Sequence, residues 1–430
     1  VNNKKCLNIV RSSCLKFSGW HVLGVIWSQF FLPFSNLLIA CLIIRVLSPD
    51  DANILFLLLS FALVASVFSD FGLRNAIYTD VALREGEALK GYIRHVYLLR
   101  AFLGVLVFCV LVFVAPWLHI NNIGTALLFS AFAANMYVAD PGLKILCGKS
   151  LSYFEIPLSI LDRGIVICGL WFMYVYSINV LNLVLSLFVV AGLVRAVSGV
   201  VVVSKAILKE KPVIATVLRE QGETQRNFGW NHLWAGLALL VTLLNLRFPV
   251  LILPIIQLTD HAAHVGIILA VCQSFLLIPS IIAKILFPSV LGQSSAPKCE
   301  HLFTSRVIYG SLVVCLVSGI LVVLILYPLT VPLLRYLHPE YVQTPGFLQL
   351  ALFGIPLLCS TQMMRLLATS GGIARSVFFP TLTGSIAAYI IVMGLSPDYG
   401  LTRVFYGYFI AESIILALVL IVISRHTSHR

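Results

Sequence analysis

Charge is what this chain has least of. Only 11% of its 430 residues are Asp, Glu, Lys or Arg, and 60% are hydrophobic, against roughly 25% and 45–50% in soluble domains. So few charges cannot cover a surface that faces water on all sides, which excludes an ordinary soluble globule. Acids are scarcer still, 17 against 29 basic residues. Long polar insertions are missing as well: the widest gaps between apolar runs, 74–97 and 204–229, are too short for a nucleotide-binding domain. GxxxxGK[ST], GxSxG and HExxH are all absent. Neither an ATPase nor a hydrolytic enzyme finds its chemistry here, so no catalytic residue is assigned. The ten cysteines include no CxxC and no Cys/His spacing that suits a metal. Most lie inside apolar runs and read as small buried side chains.

What is there is hydrocarbon, in blocks of about twenty residues or more, the length a helix needs to cross ~30 Å of lipid. The blocks are continuous rather than alternating, which selects helices over barrel strands. They fall at 19–46, 52–73, 98–119, 124–147, 157–179, 180–203, 230–257, 265–289, 309–332, 346–368, 374–395 and 402–424. The chain is therefore expected to be an all-α integral membrane protein with twelve transmembrane helices. Lysine and arginine set the orientation. Lys4, Lys5, Arg11 and Lys16, then Arg74, Arg84, Lys90 and Arg94, then Lys205, Lys209, Lys211, Arg219 and Arg226 share one side, while the opposite loops hold Arg45, Arg335 and Arg403. That asymmetry puts both termini in the cytoplasm. It also accounts for the formal charge of +12 without a nucleic-acid partner. The basic loops are expected to meet membrane lipids.

Segment 204–229 divides the chain into 1–203 and 230–430. Each half opens on Gly-Trp (Gly19-Trp20, Gly229-Trp230) followed by a long proline-bearing span, and each such span ends in a related phrase, "LSPDDA" at 47–52 and "LTDHAA" at 258–263. The repetition predicts two six-helix lobes in the same orientation, joined by a cytoplasmic linker.

Within the apolar runs, Arg247 in "LLNLRFPVLILP" (243–254) stands out. A mid-membrane arginine is unfavourable by about 2.5–3.5 kcal/mol on insertion scales, so it usually faces a cavity or a partner. Pro249 and Pro254 remove backbone donors nearby, and Pro33 does the same in the first span, so all three are expected to kink their helices. Arg247, with Asn245 and Asn36, is read as the lining of a central cavity that meets an anionic group; a guanidinium matches a pair of phosphate oxygens. The competing reading has Arg247 reaching to the interface or neutralised by an acid on another helix. Glu412 is open to two roles, the site of a coupling proton or sodium ion, or the partner of a buried arginine. Asp162 and Arg163 are adjacent and so point about 100° apart, which favours cross-helix pairing, for instance of Asp140 with Arg163. Asp70 and Arg74 have the spacing of a pair on one helix face. These four, with Asp140, are assigned as structural or gating ion pairs.

The stretch 37–77, "LLIACLIIRVLSPDDANILFLLLSFALVASVFSDFGLRNAI", resembles the opening signature of Wzx-type polysaccharide flippases, the O-antigen and exopolysaccharide translocases of the multidrug/oligosaccharidyl-lipid/polysaccharide exporter superfamily. Its matching features are Arg45-Val46-Leu47, Ser48-Pro49-Asp50-Asp51 and Asp70-Phe71-Gly72-Leu73. A second stretch, 258–290, is similar to the same family's phrase at the eighth span. Two positions depart from the pattern: Ala52-Asn53 replaces a Gly-aromatic pair, and Leu246 stands where many members place an Asp beside the basic residue. The resemblance implies a MATE-like fold in the bacterial inner membrane and alternating access. Its implied cargo is an undecaprenyl-diphosphate-linked oligosaccharide whose prenyl tail stays in lipid, with other polysaccharide assembly proteins as partners. A coupling proton or sodium ion is the one cofactor-like requirement it implies. The alternatives are a multidrug exporter of the same superfamily and a multispan polysaccharide polymerase. Against the first, span 19–46 contains no acid; against the second, the longest external connection, 333–345, is short.

Overall fold

The computed structural model describes residues 19–68, 86–118, 122–149, 151–209, 228–276, 305–330, 344–370 and 375–428, with single residues at 77, 81, 84, 120, 279 and 332. Among them every regular element is a helix. In chain order the helices are α1 (Gly19–Val46), α2 (Pro49–Phe68), α3 (Gly86–Val114), α4 (Ile123–Gly148), α5 (Glu155–Val175), α6 (Leu181–Lys209) and α7 (Phe228–Leu251). There follow α8 (Ala262–Phe275), α9 (Ser305–Leu326), α10 (Thr344–Leu352), α11 (Ile355–Ser370), α12 (Arg375–Gly394) and α13 (Thr402–Ser428). Eight of these are long and apolar enough to cross a membrane, and nine spans result if the α10–α11 pair counts as one. This is a multi-pass membrane protein.

Local chemistry sets several boundaries. α2 begins on Pro49, whose missing N–H costs nothing at the first helical position. Ser48 Oγ accepts a bond from the Asp51 amide at 3.3 Å, and Asp50 and Asp51 lie where the helix dipole favours negative charge. Pro33 and Pro249 are both carried inside their helices. Pro254 is not. The helix expected over 230–257 stops at Leu251 and gives way to turns, because a proline ring at 254 would clash with the carbonyl of Val250. Pro254 thus terminates α7 instead of kinking it. The span expected over 346–368 is also two pieces, bent by 42° between α10 and α11. Pro356 cannot donate to the Leu352 carbonyl, and the ring of Phe409 lies over Gly354, where a side chain would collide with it.

The packing of the two halves follows one scheme. In the first, α1 packs on α5, α5 on α6, α6 on α4, and α4 on both α3 and α2. In the second, α7 packs on α12, α12 on α13, α13 on α11, and the broken α10–α11 on both α9 and α8. Counting α10–α11 as one element, each pairing recurs six helices later. Contacts across the middle are made by α1 with α8, α2 with α7, and α2 with α8. Asn53 Oδ1 accepts the Ala263 amide at 2.7 Å, and Ser274 Oγ donates to the Pro33 carbonyl at 3.3 Å. Ala52 and Ala263, equivalent residues of the two related phrases, are both fully buried.

The α2–α8 contact depends on a missing side chain. Phe56 lies flat against Gly266, so a Cβ there would fall 2.6 Å from Phe56 Cγ and 2.9 Å from Cε1. Gly266→Val is expected to lower stability by about 1–3 kcal/mol, the usual range for overpacking. Thermal unfolding in detergent will show it, and Phe56→Ala in the same chain should restore part of the loss.

Candidate functional site

Four helices of the second half converge on one carboxylate. Glu412 of α13 is fully buried. Its Oε1 accepts a 2.6 Å bond from Asn245 Nδ2 of α7 and a 3.3 Å bond from Arg365 Nη2 of α11; the same Nη2 lies 3.4 Å from Oε2. Ser385 of α12 donates to Asn245 Oδ1 at 3.3 Å and fixes which way that amide faces. Thr361, one turn before Arg365, reaches the backbone carbonyl of Glu412 at 3.5 Å. Tyr408, one turn before Glu412 on α13, is buried beside them. Inside a protein a carboxylate this deep persists only if paired and hydrogen-bonded, and here both oxygens are taken.

Arg247 stands apart from this arrangement. It is two residues beyond Asn245, so the two side chains leave α7 about 200° apart and only one can face Glu412. Asn245 does; it is wholly buried, whereas Arg247 is half-buried. Among the described residues, no carboxylate pairs with Arg247 and no hydrogen bond engages it. It lies four residues before the end of α7, about 6 Å along the axis, rather than halfway along the helix. Proline at 249 adds a second polar feature, since its missing N–H leaves the Asn245 carbonyl without its helical partner.

The three residues grouped as a cavity lining are therefore placed differently from one another. Asn245 holds Glu412, Arg247 is unengaged, and Asn36 is exposed on α1 with no hydrogen bond to either among the described residues. In the first half, Asp162 pairs across helices, with Arg195 of α6 at 2.7 Å. Arg163 Nε comes to 3.8 Å of Asp162. Asp70 and Arg74, and the side chain of Asp140, lie outside the described residues. Sequence reasoning missed Arg365, Arg195 and Arg100, the last buried with its guanidinium 4.4 Å over the Tyr137 ring. Each carries the signal that singled out Arg247, a lone arginine in an apolar run. Among the described residues, no cluster of His, Cys, Asp or Glu is placed to hold a metal.

No protein-family model matches the chain, and no curated protein matches it by sequence. Solved structures do match it in fold. An inward-facing multidrug resistance MATE family transporter of the MOP superfamily aligns over 92% of this chain and 95% of its own, at 14% identity and a TM-score of 0.70. The MATE multidrug transporter DinF-BH aligns over 95% and 96%, again at 14% identity and 0.70. The lipid II flippase MurJ, in an inward closed conformation, covers 95% of this chain and 88% of its own at 14% identity and 0.63. Identities this low establish a shared fold, that of the MATE transporters and of MurJ.

Proposed function

We propose that this chain is a flippase that carries an undecaprenyl-diphosphate-linked oligosaccharide repeat, of O-antigen or a related polysaccharide, across the bacterial inner membrane. In this reading it has twelve spans, both termini are cytoplasmic, and lobes 1–203 and 230–430 rock about a central passage, linked by 204–229. Membrane lipids surround it and polysaccharide assembly proteins supply and receive its cargo.

One observation carries the reading: Arg247 is half-buried in an apolar helix and engaged by no carboxylate among the described residues. A guanidinium kept from water without a counter-ion is costly, and a diphosphate supplies both the missing charge and the paired oxygens that a planar fork binds best. The neighbouring carboxylate offers it nothing, since Glu412 is already held by Arg365 and Asn245.

A multidrug exporter is the second reading, favoured by the MATE structures among the matches. Export of an organic cation calls for an available carboxylate. Span 19–46 has none and, among the described residues, the span carboxylates Asp162 and Glu412 are both joined to arginines. The charge balance therefore supports an anionic cargo. Proteoliposomes holding the purified protein separate the two readings. A fluorescent prenyl-diphosphate oligosaccharide should become accessible in the opposite leaflet, while an organic cation dye should not move. Cation transport without lipid translocation would replace the first reading by the second.

A further inference from the structure

Four buried polar atoms without a hydrogen-bond partner gather in the first half, on helices that contribute nothing to the Glu412 cluster. They are Ser159 Oγ, Asp162 Oδ1 and Arg163 Nε of α5, and Arg195 Nε of α6. Ser159, Asp162 and Arg163 share one turn of α5, and Arg195 is tied to that turn by its 2.7 Å bond to Asp162 Oδ2. The separation of Arg163 Nε from Asp162 Oδ1, 3.8 Å, is too long for a hydrogen bond. Ser159 is 1% and Asp162 7% exposed, whereas the arginine side chains keep 23% and 19% of their surface open. The four orphaned atoms are themselves buried, and the open surface belongs to other atoms of the two arginines.

Charge decides what fits. Among the described residues two guanidiniums, those of Arg163 and Arg195, face the one carboxylate of Asp162. A water molecule could satisfy one or two of the orphaned atoms, but it would leave the surplus positive charge uncompensated. A singly charged oxyanion does both. We propose that Ser159, Arg163 and Arg195 bind a phosphate group, its oxygens accepting from the serine hydroxyl and the two Nε–H groups. Asp162 Oδ1 then accepts from a hydroxyl that the ligand carries, the P–O–H of inorganic phosphate or the glycerol hydroxyl of a phosphatidylglycerol headgroup. No step of the proposed translocation is needed for this site to exist, so it stands independently of the flippase reading.

The test uses the full chain in detergent, titrated separately with inorganic phosphate and with phosphatidylglycerol, and read by native mass spectrometry and thermal shift. Arg163→Gln leaves Asp162 and Arg195 as a neutral pair, so the fold is retained, and the half-saturating concentration should rise tenfold or more. Ser159→Ala, which alters no charge, should weaken binding two- to fivefold and serves if Arg163→Gln expresses poorly. Binding of inorganic phosphate that both substitutions weaken identifies a free-anion site. A response to phosphatidylglycerol alone identifies a headgroup site. If the wild type binds neither probe, or if both variants bind as the wild type does, the proposal is overturned.

Discussion

Arg365→Met alone will destabilise the protein by about 3–5 kcal/mol, because it leaves Glu412 charged, buried and short of its cation. Glu412→Gln alone will cost a similar amount, stranding Arg365 instead. The double variant, Arg365→Met with Glu412→Gln, should recover most of either loss. It removes both charges together, and the glutamine carbonyl oxygen can still accept the 2.6 Å bond that Asn245 now gives to Oε1. Thermal unfolding in detergent, run as a double-mutant cycle, measures this directly; single variants as stable as the double would show that the pair is not what holds α7, α11 and α13 together. Transport by the double variant then decides between the two roles open to Glu412. A carboxylate serving only as counter-ion to Arg365 leaves translocation restored along with stability. A carboxylate that takes up a coupling proton or sodium ion leaves a well-folded protein that no ion gradient can drive.

Arg247→Gln is expected to do the opposite: slow translocation and leave stability intact. Among the described residues no partner is orphaned when this guanidinium goes, and the penalty of keeping a cation in an apolar helix disappears with it. A hydrogen bond to a charged group contributes about 1.5–3 kcal/mol. Losing one such contact to the cargo therefore predicts a drop in transport of roughly tenfold to a hundredfold, with the melting temperature unchanged or raised. Arg247→Lys should fall between, since an ammonium keeps the charge and loses the planar fork. Translocation in proteoliposomes, with unfolding measured on the same preparations, separates the two effects. Full transport by Arg247→Gln would remove this residue from the path of the cargo.

How much of this could be read from the chain varies with the kind of force involved. Apolar length is a local property, and the first span, expected to run to 46, ends where α1 does, at Val46. Where a span ends inside an apolar stretch, hydropathy is blind and backbone chemistry rules. Pro254 stops α7 although leucines and isoleucines continue past it, and Gly354-Ile355-Pro356 breaks the helix between α10 and α11 without any loss of hydrophobicity. Charge pairing is the least legible. Glu412 could be seen to need something, yet Arg365 lies 47 positions away and Asn245 lies 167 away. Nothing in the residues around 412 distinguishes these partners from the other arginines and amides of the chain. The same holds for Asp162, whose neighbour in sequence, Arg163, is a looser companion than Arg195 of the next helix.

The bond between Asn53 and the Ala263 amide has a mechanical meaning. α2 and α8 hold corresponding places in the recurring packing scheme, and this bond joins them to each other. On the rocking proposed above, motion would be least at this contact, and the 2.7 Å bond would hold while the flanking contacts, α1 with α8 and α2 with α7, change. Those two contacts exchange when each helix is replaced by its counterpart six places on, so the proposed motion would act on both alike.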